Sequence, residues 1–505
     1  MVNTYNRFLH FAFCSLLFLS ACATSKKMLA PPSGAQSLAE LRQRLDRILA
    51  DPSLTHSWAG VKIVSLRTGE TIYEHNAELL AHPASNQKLL TSAAALSLLG
   101  PAYVFRTSVA CDSAAQGDSV LQGNLYLIGR GNPDLTSNDL FGLAQNLAQM
   151  GLREIRGNII CDDFYLDDVR WGNGWMWDDD PADYAPRVSA LSVNKNTVVV
   201  RVKPAESIGK PARVQIDPPT DHVTLINTSV TVKRRSQIDS LSLPPLTINR
   251  KWQQHENTIV VDGAIAQDSS PREETLNVLE PEIYCGRLFR VALQTVGIVV
   301  HGGVERGLSP AKTKILAEHS APILSTLVNL NKPSDNLSAE LLLKTIGVEK
   351  FGRPGTATKG IRAMRQFLGS VGVDTNAVYS ADGSGASHYN LITPSNLVSL
   401  LAAMWKNFAV RNEFAATLPI AGVDGTLRGR MKGTPAEGVL HAKTGTISAV
   451  STLSGYTTTA DGEELAFSMM MQHFLGGSRA IHSIQDRIGV ELCSFRRGVG
   501  AAASQ

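Results

Sequence analysis

Three short polar motifs carry the residue types that chemistry needs: Ser85-Asn86-Gln87-Lys88, Ser334-Asp335-Asn336 and Lys443-Thr444-Gly445. In chain order they offer a hydroxyl with an amine three residues on, a second hydroxyl beside an amide, and a further amine followed by a residue with no side chain. Such a set can carry out acyl transfer at a serine. In that chemistry Ser85 is the nucleophile and Lys88 the base that deprotonates it. Ser334 relays a proton between Lys88 and a leaving amine, and Asn336 holds a substrate amide or Lys88 itself. Lys443 and Thr444 bind a substrate carboxylate, Gly445 lets the substrate backbone approach, and the N–H groups of Ser85 and Thr446 form an oxyanion hole.

A serine three residues before a lysine is cheap, and it recurs as Ser192 to Lys195, Ser207 to Lys210 and Ser309 to Lys312. Those copies lead into a β-branched run or into proline, so none opens a clean helical turn. Ser85 follows the breaker segment Ala81-His82-Pro83-Ala84 and opens an Ala- and Leu-rich run, Lys88 to Leu99, that Gly100-Pro101 stops. This predicts a helix, apolar nearly all round and therefore central and buried. Residues i and i+3 share a helix face, so Ser85 and Lys88 can touch. The helix N-terminus favours a developing alkoxide, and burial drives the Lys88 amine toward its neutral form.

Ser334-Asp335-Asn336 precedes Leu337, Ala339, Leu341, Leu342 and Leu343, which places it in the loop or first turn leading into a helix, where a plain N-cap is the competing role. Lys443-Thr444-Gly445 lies before Thr446-Ile447-Ser448-Ala449-Val450 and on to Tyr456, a β-branched and small-residue run that predicts strands joined at a tight turn. A strand edge there would line a cleft beside Ser85.

These motifs, together with Pro83 to Thr91, Tyr126-Leu127-Ile128-Gly129-Arg130-Gly131-Asn132-Pro133, Asp382-Gly383-Ser384-Gly385 and Gly422-Val423-Asp424-Gly425-Thr426-Leu427, resemble the class C low-molecular-mass penicillin-binding proteins, the D-alanyl-D-alanine carboxypeptidase and endopeptidase family. The likeness runs from about residue 36 to about residue 495. It implies an α+β fold, an α/β/α sandwich of the serine β-lactamase/transpeptidase type, with a mostly β inserted region. It implies a serine enzyme acting through an acyl-enzyme on peptidoglycan stem peptides, without a cofactor, and acylated by β-lactams. Two other readings stay open: a serine β-lactamase, and a non-catalytic wall-binding lipoprotein. In relatives an Asp from a segment comparable to Trp175-Met176-Trp177-Asp178-Asp179-Asp180 meets the free amine of the diamino acid, and Asp179 is the matching position; a solvated acidic turn is the plain alternative. Relatives also carry Arg where this chain has His388, and a histidine grips a carboxylate less firmly than an arginine fork.

The stretch from Ser85 to Ser334 is long enough for an extra domain or two. The expected division is a catalytic domain split into residues 38–106 and 318–495, with 107–317 inserted as two subdomains. Runs such as Thr197 to Val202 and Val223 to Asn227, with turns at Pro218-Pro219 and Pro244-Pro245, read as strands. At the N-terminus, Phe8 to Leu19 is apolar behind Arg7 and too short to span a bilayer, as in a secretory signal occupying residues 1–21. Leu19-Ser20-Ala21-Cys22 resembles the bacterial lipobox. Lipidation of Cys22 would anchor the mature protein through a tether, residues 22–37, in the periplasm, and Ala23 favours outer-membrane sorting. Of the remaining cysteines, Cys111 and Cys161 form the candidate disulfide, against a default of isolated buried thiols. A net charge of +3 and scattered histidines, 12 in all, argue against nucleic acid binding and offer no metal-ligand spacing.

Overall fold

A computed structural model describes residues 36–112 and 119–497 of the chain. The first apolar run forms the helix Gln87–Leu99, and Gly100, at φ +85°, ends it. Every residue from Gln87 to Leu96 is buried, because the helix lies between Ile323–Asn331, Asn336–Phe351 and Ala357–Ser370 rather than on a surface. Leu89, Leu90, Ala93 and Leu96 interlock there with Leu342, Ile346, Met364 and Leu401. Each fully buried leucine contributes about 1.5–3 kcal/mol, enough for this core to hold polar groups that would not be buried alone.

Beside this helical layer stands an antiparallel sheet in the order Thr71–His75, Trp58–Ser65, Glu464–Gln472, Val450–Thr458, His441–Ile447. The inner strand Glu464–Gln472 is buried on both faces, as its apolar run, interrupted only by the small Ser468, requires. Ala466 and Met470 face the core of the central helix, whereas Leu465, Phe467, Met469 and Met471 face the terminal helices Leu38–Leu49 and Arg479–Ser494. Period-two alternation thus feeds two cores from one strand. The result is an α+β fold with helices on both faces of the sheet. The Lys443 strand occupies the sheet edge, and its partner is reached through a tight turn with Ala449 at φ +56°.

The chain leaves and re-enters this body on neighbouring strands. Val104–Asp112 and Thr313–Pro322 pair antiparallel, and they extend a second sheet in the order Val304–Arg306, Ile159–Asp162, Leu125–Gly129, Val104–Asp112, Thr313–Pro322. Beyond it lie small sheets built from Thr197–Lys203, Arg213–Asp217, Thr224–Asn227, Val230–Val232, Thr247–Arg250, Thr258–Asp262, Ala264–Ala266 and Arg272–Asn277. The longer helices of this region are Ser137–Gln149 and Pro281–Thr295.

The candidate disulfide does not form. Cys111, Cys161, Cys285 and Cys493 are free and buried. Cys111 sits opposite Leu125, and Cys161 opposite Leu127 on the far side of the same strand. Two inter-strand spacings of about 4.8 Å separate them, beyond the roughly 7 Å Cα reach of a disulfide. The signal segment, Cys22 and the tether up to residue 35 lie outside the described residues; Ser37 caps the helix Leu38–Leu49 with a reciprocal bond to Glu40. Among the described residues no helix is long and apolar enough to cross a membrane, and no group of three His, Cys, Asp or Glu is placed to hold a metal ion.

Candidate active site

The turn before the central helix sets the site. Ala84 takes φ +45° and a short 3-10 turn, Ala84–Asn86, feeds into Gln87–Leu99, leaving Ser85 half-buried at the cleft and Lys88 wholly buried beneath it. Lys88 Nζ lies 3.1 Å from Ser85 Oγ, 2.5 Å from Asn336 Oδ1 and 2.7 Å from the Ser384 carbonyl oxygen. The Asn336 amide is oriented by its own Nδ2, which donates to the Tyr184 carbonyl at 2.6 Å. Asn336 Oδ1 and Ser384 O can only accept. A neutral amine has two N–H bonds and one lone pair, so it donates to these two and turns the lone pair on the Ser85 hydroxyl. Burial pushes the Lys88 ammonium down to about 8, while Asp382, Asp335 and Glu340 hold it from falling further.

Ser334 stands at φ +69° just ahead of the helix Asn336–Phe351, which Asp335 caps by accepting from Ser338 N at 2.7 Å. The capping role expected of this motif therefore falls to Asp335, leaving Ser334 and Asn336 free to face the cleft. Lys443, fully buried on the sheet edge, donates to Ser334 Oγ at 2.8 Å and to the Thr444 carbonyl at 2.9 Å. Its ammonium is driven well below its ordinary value, first by burial and then by Lys88. Two amines and two hydroxyls thus meet from segments far apart in sequence.

The strand edge touches the nucleophile turn directly. A Cβ added to Gly445 would sit 2.2 Å from Thr452 Oγ1 and 2.9 Å from both the Pro83 oxygen and the Ser85 nitrogen. Only glycine permits this approach. Thr452 Oγ1 donates to the same Pro83 carbonyl at 2.9 Å, and Asn86 Nδ2 donates to Ser454 Oγ at 2.6 Å, so the turn is stitched to the sheet at two rungs. Thr444 Oγ1 donates to Thr426 Oγ1 at 2.7 Å, and Thr446 is exposed one step further along the edge.

The decoy serines are otherwise engaged. Ser192 Oγ donates to the Ser189 carbonyl at 2.7 Å, Ser309 Oγ bonds Asp162, and Ser207 is exposed. Lys195 instead pairs with Asp335 at 3.1 Å. Asp179 does not reach the two lysines. Its carboxylate accepts from Met176 N at 2.9 Å and from Tyr184 Oη at 3.0 Å, so it meets the site through Tyr184, whose carbonyl orients Asn336. His388 is half-buried, its ring 6.0 Å from that of His82, and burial pushes the His82 imidazolium down.

Sequence reasoning passed over several residues that support this centre. Asp382 accepts from Trp175 Nε1, Ser384 Oγ, Gly385 N, Ser387 N and Asn390 Nδ2, which folds the turn carrying the Lys88 acceptor. Glu340 is buried four residues beyond Asn336. Its signal was present: an acid inside the run Leu337 to Leu343, on the Asn336 face of the helix.

A model of the D-Ala-D-Ala carboxypeptidase 3 (S13) family matches residues 41–490. The chain is 39% identical to a D-alanyl-D-alanine carboxypeptidase of Actinomadura sp. (strain R39), over 92% of this chain and 87% of that one. It is 27% identical to the D-alanyl-D-alanine carboxypeptidase DacB of Haemophilus influenzae, over 82% of this chain and 85% of the relative. The crystal structure of penicillin binding protein 4 (dacB) from Haemophilus influenzae superposes with a TM-score of 0.77 at 25% identity, covering 91% of this chain and 99% of that one. The family match spans all three motifs and the paired strands Val104–Asp112 and Thr313–Pro322, and on these grounds the chain belongs to the D-Ala-D-Ala carboxypeptidase 3 (S13) family.

Proposed function

We propose that the protein is a serine D-alanyl-D-alanine carboxypeptidase and endopeptidase that cleaves peptidoglycan stem peptides through an acyl-enzyme on Ser85, and that β-lactams acylate the same serine. The observation that carries this reading is the threefold coordination of Lys88, whose acceptors leave its lone pair to Ser85. Ser85 Oγ attacks the carbonyl between two D-alanines as its proton passes to Lys88 Nζ. The N–H groups of Ser85 and Thr446 receive the developing oxyanion; Gly445 supports this by bringing the strand edge against the Ser85 nitrogen. The C–N bond breaks as the leaving amine takes, by way of Ser334, the proton that Lys88 received from Ser85; the Ser334 hydroxyl is held by Lys443. Water then attacks the ester along the reverse proton route and frees Ser85.

Lys443 is enclosed, so it acts on the terminal carboxylate through Ser334, while the Thr444 and Thr426 hydroxyls make the direct bonds. The side chain of the diamino residue offers its amine to Asp179, which Tyr184 links to Asn336, and its carboxylate to His388. Digestion of purified pentapeptide and cross-linked muropeptides tests the reading. Mass analysis should show loss of the terminal D-alanine and cleavage of the D-alanyl cross-bridge; intact substrates after prolonged incubation refute it.

The apolar stretch Phe8 to Leu19 and the Leu19-Ser20-Ala21-Cys22 motif support a mature protein lipidated at Cys22 and held in the periplasm, at the outer membrane. Cys22→Ser should move the protein from the membrane fraction to the soluble periplasmic fraction, and an unchanged distribution would refute the anchor.

A further inference from the structure

We propose that Glu340 is a positioning residue that fixes the Gly383-Ser384 turn against Lys88 and, through its charge, sets how readily Lys88 releases its proton. The inference rests on Lys88 being the base of the proposed reaction. Glu340 lies one turn along the helix from Asn336 and is buried. Its Oε1 accepts from the backbone N–H of Gly383 and of Ser384, both at 2.9 Å. The carbonyl of that same Ser384 takes the Lys88 proton donor at 2.7 Å. The turn is pressed onto the helix that bears Glu340, since a Cβ at Gly383 would stand 2.7 Å from the Ala339 oxygen. Glu340 therefore reaches Lys88 through one residue of backbone, and neither touches substrate nor competes with Asn336.

Its charge acts in the same place. Facing Glu340 are Asp382 from the turn, Lys344 from its own helix, and Lys88; behind them lie Lys443 on the sheet edge and Asp335 at the helix cap. Lys344 is occupied by Asp167 and the Val169 carbonyl, both at 2.6 Å, and Asp335 by Lys195. Asp382 collects donors on both carboxylate oxygens, whereas Glu340 receives two backbone donors on one. Burial, with Asp382 close by, pushes the Glu340 carboxyl up to about 7. It consequently changes charge just below the range in which Lys88 does. An ionised Glu340 favours the ammonium form of Lys88; a neutral one favours the free amine.

Glu340→Gln keeps an oxygen for the two backbone donors and removes the charge. The midpoint of the acid limb of Ser85 acylation by a chromogenic β-lactam should fall by about one half to one pH unit, raising the rate at about pH 7.5, relative to its own plateau, roughly two- to threefold, and the gain should fade below about pH 6.5, where wild-type Glu340 is itself neutral. A limb that stays at the wild-type pH, in a variant that melts cooperatively, overturns the proposal and reduces Glu340 to scaffolding. Wild-type enzyme that is not acylated at all refutes the acyl-enzyme reading instead, so the two failures are told apart. Should the variant not fold, wild-type protein labelled with carbon-13 at glutamate carboxyl groups supplies the answer. One resonance should titrate near pH 7 and shift its midpoint when Ser85 is acylated, and the absence of such a resonance overturns the proposal.

Discussion

Lys88→Met should lower the rate of Ser85 acylation about 10³-fold while leaving a folded protein. The magnitude follows from removing a positioned general base, which typically contributes 10²- to 10⁴-fold. Methionine fills the same buried volume, so the main structural loss is the donor to Asn336 Oδ1 and Ser384 O, a cost of about 1–3 kcal/mol for each orphaned group, offset in part by no longer burying an amine. The pH profile gives a second signature. With the Lys88 ammonium at about 8, the lone pair is lost as pH falls through that value, and acylation should drop about tenfold per pH unit below it. In Lys88→Met that limb should vanish. A variant retaining a tenth or more of the wild-type rate, with the limb in place, would assign the base elsewhere. Stopped-flow acylation between pH 5 and 9 measures both effects.

Gly445→Ala should cost about 10²-fold in acylation and about 1–3 kcal/mol in stability from one added methyl group. Its Cβ would meet Thr452 Oγ1 at 2.2 Å, and the Pro83 oxygen and Ser85 nitrogen at 2.9 Å. A side-chain clash can be relieved by rotation, but the two backbone contacts can be relieved only by moving the strand edge or the nucleophile turn. The double variant Gly445→Ala with Thr452→Ala should therefore stay impaired, because it removes the hydroxyl clash and leaves the backbone ones. Wild-type acylation by Gly445→Ala would mean that the edge is not seated against Ser85. Thermal melting and acylation kinetics on the single and double variants decide the matter.

The sequence disclosed what depends on local pattern. The Ala- and Leu-rich run with its Gly100-Pro101 stop is the helix Gln87–Leu99, and the β-branched stretch after Lys443 is the hairpin His441–Ile447 with Val450–Thr458. The resemblance added the order of the motifs and hence the expectation that they meet. What stayed hidden depends on register and on packing between distant segments. Cys111 and Cys161 both follow strand-like runs, yet a third strand separates them, and no local signal reports strand order. Lys443 reads as a grip for a carboxylate on a strand edge beside Ser85, and what the local pattern does not report is that the sheet edge seats on the Pro83 to Asn86 turn and encloses its amine against Ser334. Asp382 reads as part of a glycine turn, and only the fold reveals how its carboxylate organises that turn under Lys88. Asp179 was matched by likeness, and the structure adds Tyr184 as the link between it and Asn336.

The central claim is that segments distant in sequence make one nucleophile of Ser85, and a covalent map tests it most directly. Brief exposure of the purified protein to a β-lactam, followed by proteolysis and peptide mass analysis, should place a single acyl adduct on Ser85. An adduct on Ser192, Ser207, Ser309 or Ser334, or full recovery of unmodified Ser85 after prolonged exposure, would contradict it.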